Sequence, residues 1–296
     1  LILLTTKVDN ASPSTSSAII ISGLPAFAVS SSTGSRSFIA DIFLSADIAR
    51  LIDIAEADAN IEIPFQESVP SNLQTKDWTS LTMRARIIYA HNNLNLDKIS
   101  YEDLILPQYK GRVCTRSGFH PYNISLFSAL IAHHGEDWFE DYIVKLKANL
   151  ARKPQGNDRD QVKAIYAGVC DLSIGNHYYY FKMMNDPSQK IWLDEVSLIF
   201  PNQDTYGSHV NISGIALAKY SPNGENAIKL MEFLSSPEAQ KIYALANFEY
   251  PIAPNTEPAE LVKNWGDFTP DNVNLMDLAK LRSTALKLTE IVDFDG

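Results

Sequence analysis

Short apolar runs of strand length alternate along the chain with longer stretches at helical spacing. Phe38-Ile-Ala-Asp-Ile-Phe-Leu-Ser-Ala-Asp reads as a buried strand, and residues 48–55 after it read as a helix. Leu81-Thr-Met-Arg-Ala-Arg-Ile-Ile-Tyr-Ala alternates in character and predicts a second strand. Asn123 is positioned to cap a helix over residues 124–134, with Gly135 to end it. A further helix follows, with Trp138, Phe139, Tyr142, Ile143, Leu146 and Leu150 on one face, basic last turns and Pro154 beyond. Val210-Asn-Ile-Ser-Gly-Ile-Ala-Leu-Ala predicts another strand, and residues 226–234 and 237–246 predict helices, the second capped by Ser236 with Pro237 at its first position. Such alternation predicts an α/β fold with mainly parallel sheets, in which ligands bind beyond the carboxyl ends of strands. Residues 10–38, rich in Ser, Thr and Ala with clusters of Ile, read as structured but carry little signal, and no internal repeat is visible.

The 296 residues suffice for two domains with a large core. A formal net charge of -10 argues against a nucleic-acid partner, which needs a basic stripe. No apolar run reaches the length of a membrane span, because the longest candidate, Ala18 to Val29, is broken by Ser22, Gly23 and Pro25. The opening Leu1-Ile-Leu-Leu-Thr-Thr-Lys is too short for a signal-peptide core and reads as a first strand, so an exported protein would be present here in processed form. Cys114 and Cys170 each sit at the edge of a strand-like run. Their similar settings suggest neighbouring strands and a disulfide, expected to add about 4 kcal/mol. Two buried thiols remain an equal reading on composition alone.

The candidate chemistry lies in tyrosines. Tyr178 and Tyr179 follow an apolar run in Cys170-Asp-Leu-Ser-Ile-Gly-Asn-His-Tyr-Tyr-Tyr-Phe, and Tyr122 stands in Arg116-Ser-Gly-Phe-His-Pro-Tyr-Asn. Phenolate is an anionic oxygen donor of the kind a hard trivalent cation prefers, and a bound cation holds the deprotonated form that free phenol reaches only near pH 10. A packed aromatic patch is the bland alternative. No Gly-x-Ser-x-Gly, His-Glu-x-x-His or P-loop signature is present, so no enzymatic activity is expected.

Several stretches together resemble the periplasmic ferric-ion-binding proteins of bacterial ABC importers. They are Asp103-Leu-Ile-Leu-Pro-Gln-Tyr-Lys-Gly-Arg-Val-Cys, Arg116-Ser-Gly with Tyr122-Asn, Asn149 through Gln161, Gly175-Asn-His-Tyr-Tyr, His209-Val-Asn-Ile-Ser-Gly, Glu249-Tyr-Pro-Ile and Val292-Asp-Phe-Asp. The resemblance spans roughly residues 38 to 296. It implies a two-lobed periplasmic-binding-protein fold of type II, with the metal in the interlobe cleft. The lobes are expected to be discontinuous: residues 1–86 with 208–254, and residues 87–207 with 255–296. It also implies a periplasmic, exported monomer that hands its cargo to an inner-membrane ABC permease.

Carried over residue by residue, the resemblance assigns ferric iron to Tyr122, Tyr178 and Tyr179, with Tyr180 behind the pair or in packing. Some family members add a histidine soon after the first strand. The matching stretch here is Thr5-Thr6-Lys7-Val8 and the first histidine is His91, which favours the subtype completed by carbonate or bicarbonate. That anion would lie among Ser117, Gly118, the helix start at Asn123, Asn176 and Arg84, with Arg86 the second choice as facing the other side of its strand. Asp41 and Asp47 read as supports, and His133-His134 as a structural helix end. His120 reads as an exposed loop residue and His209 as buried near the hinge. The rival function is a binder of another small ligand, such as an oxyanion, a polyamine or a sugar.

Overall fold

The computed structural model describes residues 41–64 and 66–296, and the backbone of Ile19–Ile21. The first strand expected at Leu1, the Lys7 stretch and nearly all of residues 10–38 lie outside the described residues. In chain order the elements are β1 (Ile19–Ile21), β2 (Ile42–Ser45), α1 (Ile48–Glu56), β3 (Asn60–Ile61), β4 (Thr79–His91), β5 (Val113–Cys114), α2 (Pro121–His134), α3 (Glu136–Ala148), α4 (Asp158–Tyr166), β6 (Leu172–Asn176), α5 (His177–Met184), β7 (Val196–Ile199), β8 (Val210–Ala218), α6 (Gly224–Ser235), α7 (Pro237–Asn247), β9 (Tyr250–Pro251), α8 (Glu260–Lys263) and α9 (Leu275–Ile291).

Two compact units are built from discontinuous segments. The first comprises Leu1–Thr82, Ile212–Ile242 and Pro251–Thr256, the second Met83–Asn211, Tyr243–Tyr250 and Glu257–Gly296. In the first unit β2 pairs antiparallel with β1 and β8, and β3 also pairs antiparallel with β8. Ile42, Ile63, Leu81, Ile215, Leu217, Ala227 and Met231 form its core. Two acids here serve the backbone. The Asp47 side chain caps α1 by accepting from the Ala49 N–H at 3.0 Å, and Asp41 accepts from Ser221 Oγ and the Asn223 N–H.

In the second unit β4 pairs antiparallel with β6 and β7, and β5 runs parallel to β6. The sheets are therefore mixed, against the mainly parallel reading. Among the described strands, β5 and β6 are joined by the long helical crossover that parallel pairing requires, through α2, α3 and α4. The 13-residue strand β4 is buried on both sides along most of its length. Ile88 and Ala90 join one hydrophobic core, with Phe127, Phe139 and Leu172, while Ala85, Ile87 and Tyr89 join another, with Tyr180 and Phe181. The second unit takes in Arg86 and His209 for a local reason. The Arg86 N–H donates to the His209 carbonyl at 2.8 Å, and the buried Tyr101 hydroxyl donates to the Arg86 carbonyl and accepts from the His209 N–H.

Local sequence explains the helix ends. Pro121 occupies the first turn of α2, where an N–H would go unused, and His120 rather than Asn123 is its cap, accepting from the Tyr122 N–H. The helix thus begins three residues before the expected start. Gly135, at φ 87°, ends it, a conformation that favours glycine. Asn157 and Asp160 form a reciprocal capping box at the start of α4.

Cys114, on β5, and Cys170, just before the neighbouring β6, form a disulfide with Cα atoms 5.8 Å apart, closing a separation of 56 residues. Removing the crosslink by reduction, or by a Cys114→Ala/Cys170→Ala double substitution, is expected to lower stability by about 2–5 kcal/mol. A urea titration with and without reductant checks this, and coincident midpoints would contradict it.

Candidate metal and anion site

Strand β6 runs directly into α5 with no intervening loop, so Tyr178 and Tyr179 stand in the first turn of a helix at a strand's carboxyl end. Tyr122 stands in the first turn of α2. The two helix starts bring the hydroxyls of Tyr122 and Tyr178 to 3.4 Å, and the rings of Tyr178 and Tyr179 to 4.3 Å between centroids. Burial, reinforced by Tyr122 and Tyr179, raises the Tyr178 phenol well above its ordinary value, and burial and the Asp158 carboxylate raise that of Tyr179. Without a cation both are therefore neutral phenols at neutral pH. Tyr180 is a packing residue: its hydroxyl donates to the Val196 carbonyl and its ring lies against Trp265.

Three guanidiniums surround Tyr122. The Cζ atoms of Arg84, Arg86 and Arg116 lie 5.3, 5.9 and 5.2 Å from its ring centroid. Arg84 and Arg86 are each only 2% exposed. They do not face opposite ways, because residues two apart on a strand share a face. Both line one small pocket with Tyr122, Asn176, His209 and Asn211. Arg86 is tied down by the Asp158 carboxylate at 3.2 Å and by the side-chain oxygens of Asn176 and Asn123.

Asp158 is the residue that sequence reasoning missed. Fully buried in the first turn of α4, it also accepts from Arg116 Nη1 at 2.8 Å and from the Asn176 N–H at 2.8 Å. One carboxylate thus fixes β4, the loop before α2 and the end of β6. The available signal was the Asn157-Asp158-Arg159-Asp160 cap, which places an acid inside a helix start with no cap role of its own.

The expected anion contacts divide. Ser117 and Gly118 are engaged elsewhere: the Ser117 hydroxyl and the Gly118 N–H, the latter at 2.7 Å, both donate to the Asp295 carboxylate. Asn123 is wholly buried, with its amide donating to Thr115 Oγ1 and to the carbonyls of Arg116 and Ser117. In this structure those three residues make scaffold contacts. Arg84 and Asn176 remain in the pocket, and the buried Asn176 amide nitrogen has no hydrogen-bond partner. An orphaned buried donor beside a guanidinium is suited to an oxyanion.

Three neutral histidines hold the frame. Burial, with Arg116 and Arg86 nearby, lowers His120 to about 3, so this residue is a neutral cap and not an exposed loop histidine. Burial lowers His177 to about 3. Its Nδ1 accepts from the Ala85 N–H and its Nε2–H donates to the Phe248 carbonyl, which seats the first turn of α5 against β4. Burial and Arg86 lower His209 to about 3, and its Nε2 meets Ser125 Oγ at 2.9 Å. His133 and His134 pair with Asp271 and Glu102. Gly175, next to Asn176, leaves room for Tyr89: a Cβ there would sit 2.1 Å from the Tyr89 ring, whose hydroxyl donates to the Asn176 carbonyl.

Residues 39–268 match the family described as bacterial extracellular solute-binding protein. Iron uptake protein A1 of Synechocystis is 37% identical over 264 residues, covering 84% of this chain and 72% of that protein. The crystal structure of apo ferric ion-binding protein A from Pasteurella haemolytica is similar at TM-score 0.84 and 46% identity, over 87% of this chain and 83% of that one. The structure of Trichodesmium IdiA (FutA) in complex with iron and citrate ligands is similar at TM-score 0.81 and 37% identity, over 86% and 84%. The chain belongs to the bacterial extracellular solute-binding proteins, in the branch of the iron uptake and ferric ion-binding proteins, and has the mixed α/β fold of that family. These relatives are solute-binding transport proteins and not enzymes.

Asp158→Asn removes the charge that balances Arg86 and Arg116 and is expected to destabilise the protein by about 3–5 kcal/mol, the usual cost of stranding a buried partner. Thermal unfolding checks this, and an unchanged midpoint would show the carboxylate to be dispensable.

Proposed function

We propose that this protein is a periplasmic substrate-binding protein that captures ferric iron through the phenolates of Tyr122, Tyr178 and Tyr179, and delivers it to an inner-membrane ABC permease. The observation that carries the reading is the approach of the Tyr122 and Tyr178 hydroxyls to 3.4 Å, with the Tyr179 ring tilted against that of Tyr178. Three phenolates neutralise the three charges of the ion. A synergistic anion of the carbonate or bicarbonate kind then fills remaining positions, held by Arg84 and the free amide of Asn176. The names of the relatives support iron as the cargo. We take the two compact units as the two lobes of the family's fold, the protein working as a monomer. The lobe limits then fall at Thr82/Met83 and Asn211/Ile212.

The guanidiniums around Tyr122 favour one second reading, an oxyanion bound without metal. The same cations argue against a polyamine. Trp265 is engaged with Tyr180 and Phe181 and offers no stacking face beside the tyrosine ligands.

Ferric iron titrated into the wild type is expected to bind one ion per chain and to raise a visible phenolate-to-metal charge-transfer band. Tyr178→Phe and Tyr179→Phe should each weaken or abolish both. Unaltered colour and stoichiometry in the variants, or a colourless wild type that binds phosphate tightly, would replace this reading with another. The sign of the pH dependence follows from burial. The Tyr178 and Tyr179 phenols are protonated in the metal-free state, so loading releases protons and acid favours release. For three protons displaced, affinity should fall by up to about a thousandfold per pH unit on acidification. Competition with a chelator from pH 8 to 5 measures it, and an affinity independent of pH would contradict it.

A further inference from the structure

Cations stand over the rings of all three proposed ligands and not over the neighbouring Tyr180. Besides the arginines around Tyr122, Arg159 Cζ lies 5.5 Å from the Tyr179 centroid and Lys182 Nζ lies 5.2 Å from the Tyr178 centroid. Among the described residues the one other aromatic ring so covered is that of Trp192, by Lys163. Both placements follow from helix geometry. Lys182 is four residues after Tyr178 on α5, so the two share a face. Arg159 sits in the capped first turn of α4, next to Asp158, whose carboxylate turns inward as the guanidinium covers Tyr179. Neither cation is committed to an ion pair among the described residues. Lys182 donates to Asn247 Oδ1 at 3.3 Å, and the buried Arg159 Nε has no partner.

We infer that Arg159 and Lys182 are charge-tuning residues that set how strongly Tyr179 and Tyr178 donate to the bound ion. This rests on the tyrosine-ligand reading given above. A cation over an aromatic face interacts with the π electrons of the ring, and with those of a phenolate more strongly than with those of a phenol. It therefore lowers the energy of the donor electrons and weakens their donation to the metal. The same positive charge also disfavours the ferric over the ferrous state, because the more highly charged ion is repelled more. Groups behind a ligand set its basicity and the metal's electronics in this way.

The test loads Arg159→Gln and Lys182→Met with ferric iron and reads two quantities that packing alone does not move. Loss of either cation should shift the charge-transfer band to longer wavelength and make the reduction potential of the bound ion more negative, with one iron still bound per chain. Arg159→Lys and Lys182→Arg should restore both values towards wild type. Lys163→Met, over Trp192, should leave both unchanged. Wild-type band position and potential in both charge-removing variants would overturn the inference and leave the ligand assignment standing. A band missing from the wild type would overturn the assignment and the inference together. Two independent positions keep the test decisive should one variant fail to fold.

Discussion

The buried carboxylate of Asp158 is the contact on which the site's geometry depends. A guanidinium as deeply buried as that of Arg86 is intolerable without a counter-charge, and Arg116 draws on the same acid. By accepting from the Asn176 N–H as well, Asp158 joins the end of β6 to the start of α4. Tyr178 and Tyr179 begin immediately after that point, and Tyr122 lies among the paired arginines. A single anionic group thus holds cations in place around phenols that are neutral until a metal arrives. The logic is electrostatic: cations held close to neutral phenols favour the negative charge that phenolates and an oxyanion bring.

Much of this was legible in the chain. The Val210–Ala218 strand was readable to the residue, and the Ile48–Glu56 helix to within one. The tyrosine pair was visible because an apolar run ends in it. Hidden features were those fixed by partners distant in sequence. Asn123 looks like a helix cap, yet the Pro121 ring is preorganised for the first turn and moves the cap back to His120. Ser117 and Gly118 look like an anion cradle, but Asp295, 178 and 177 residues away, occupies them. Strand direction was also opaque. Alternating helices and strands suggest parallel pairing, and nothing in the composition of β4 says that it runs against both β6 and β7.

Histidines illustrate a wider point about reading titratable residues. In isolation each is a candidate ligand or switch. Here burial holds His120, His177 and His209 neutral, and each aligns backbone or side chains around the tyrosines. His177 carries the most structural weight, since it accepts from one strand and donates to a separate segment through opposite edges of one ring. Only a neutral imidazole has one donor and one acceptor to offer at once.

Gly175 and Tyr89 are locked into joint inheritance. Any side chain at 175 intrudes on the Tyr89 ring, so the glycine can change only if position 89 first becomes smaller. A smaller residue there gives up the hydrogen bond that the Tyr89 hydroxyl donates to the Asn176 carbonyl. Each change made alone therefore costs either a clash or a hydrogen bond, which couples the two positions behind the tyrosines.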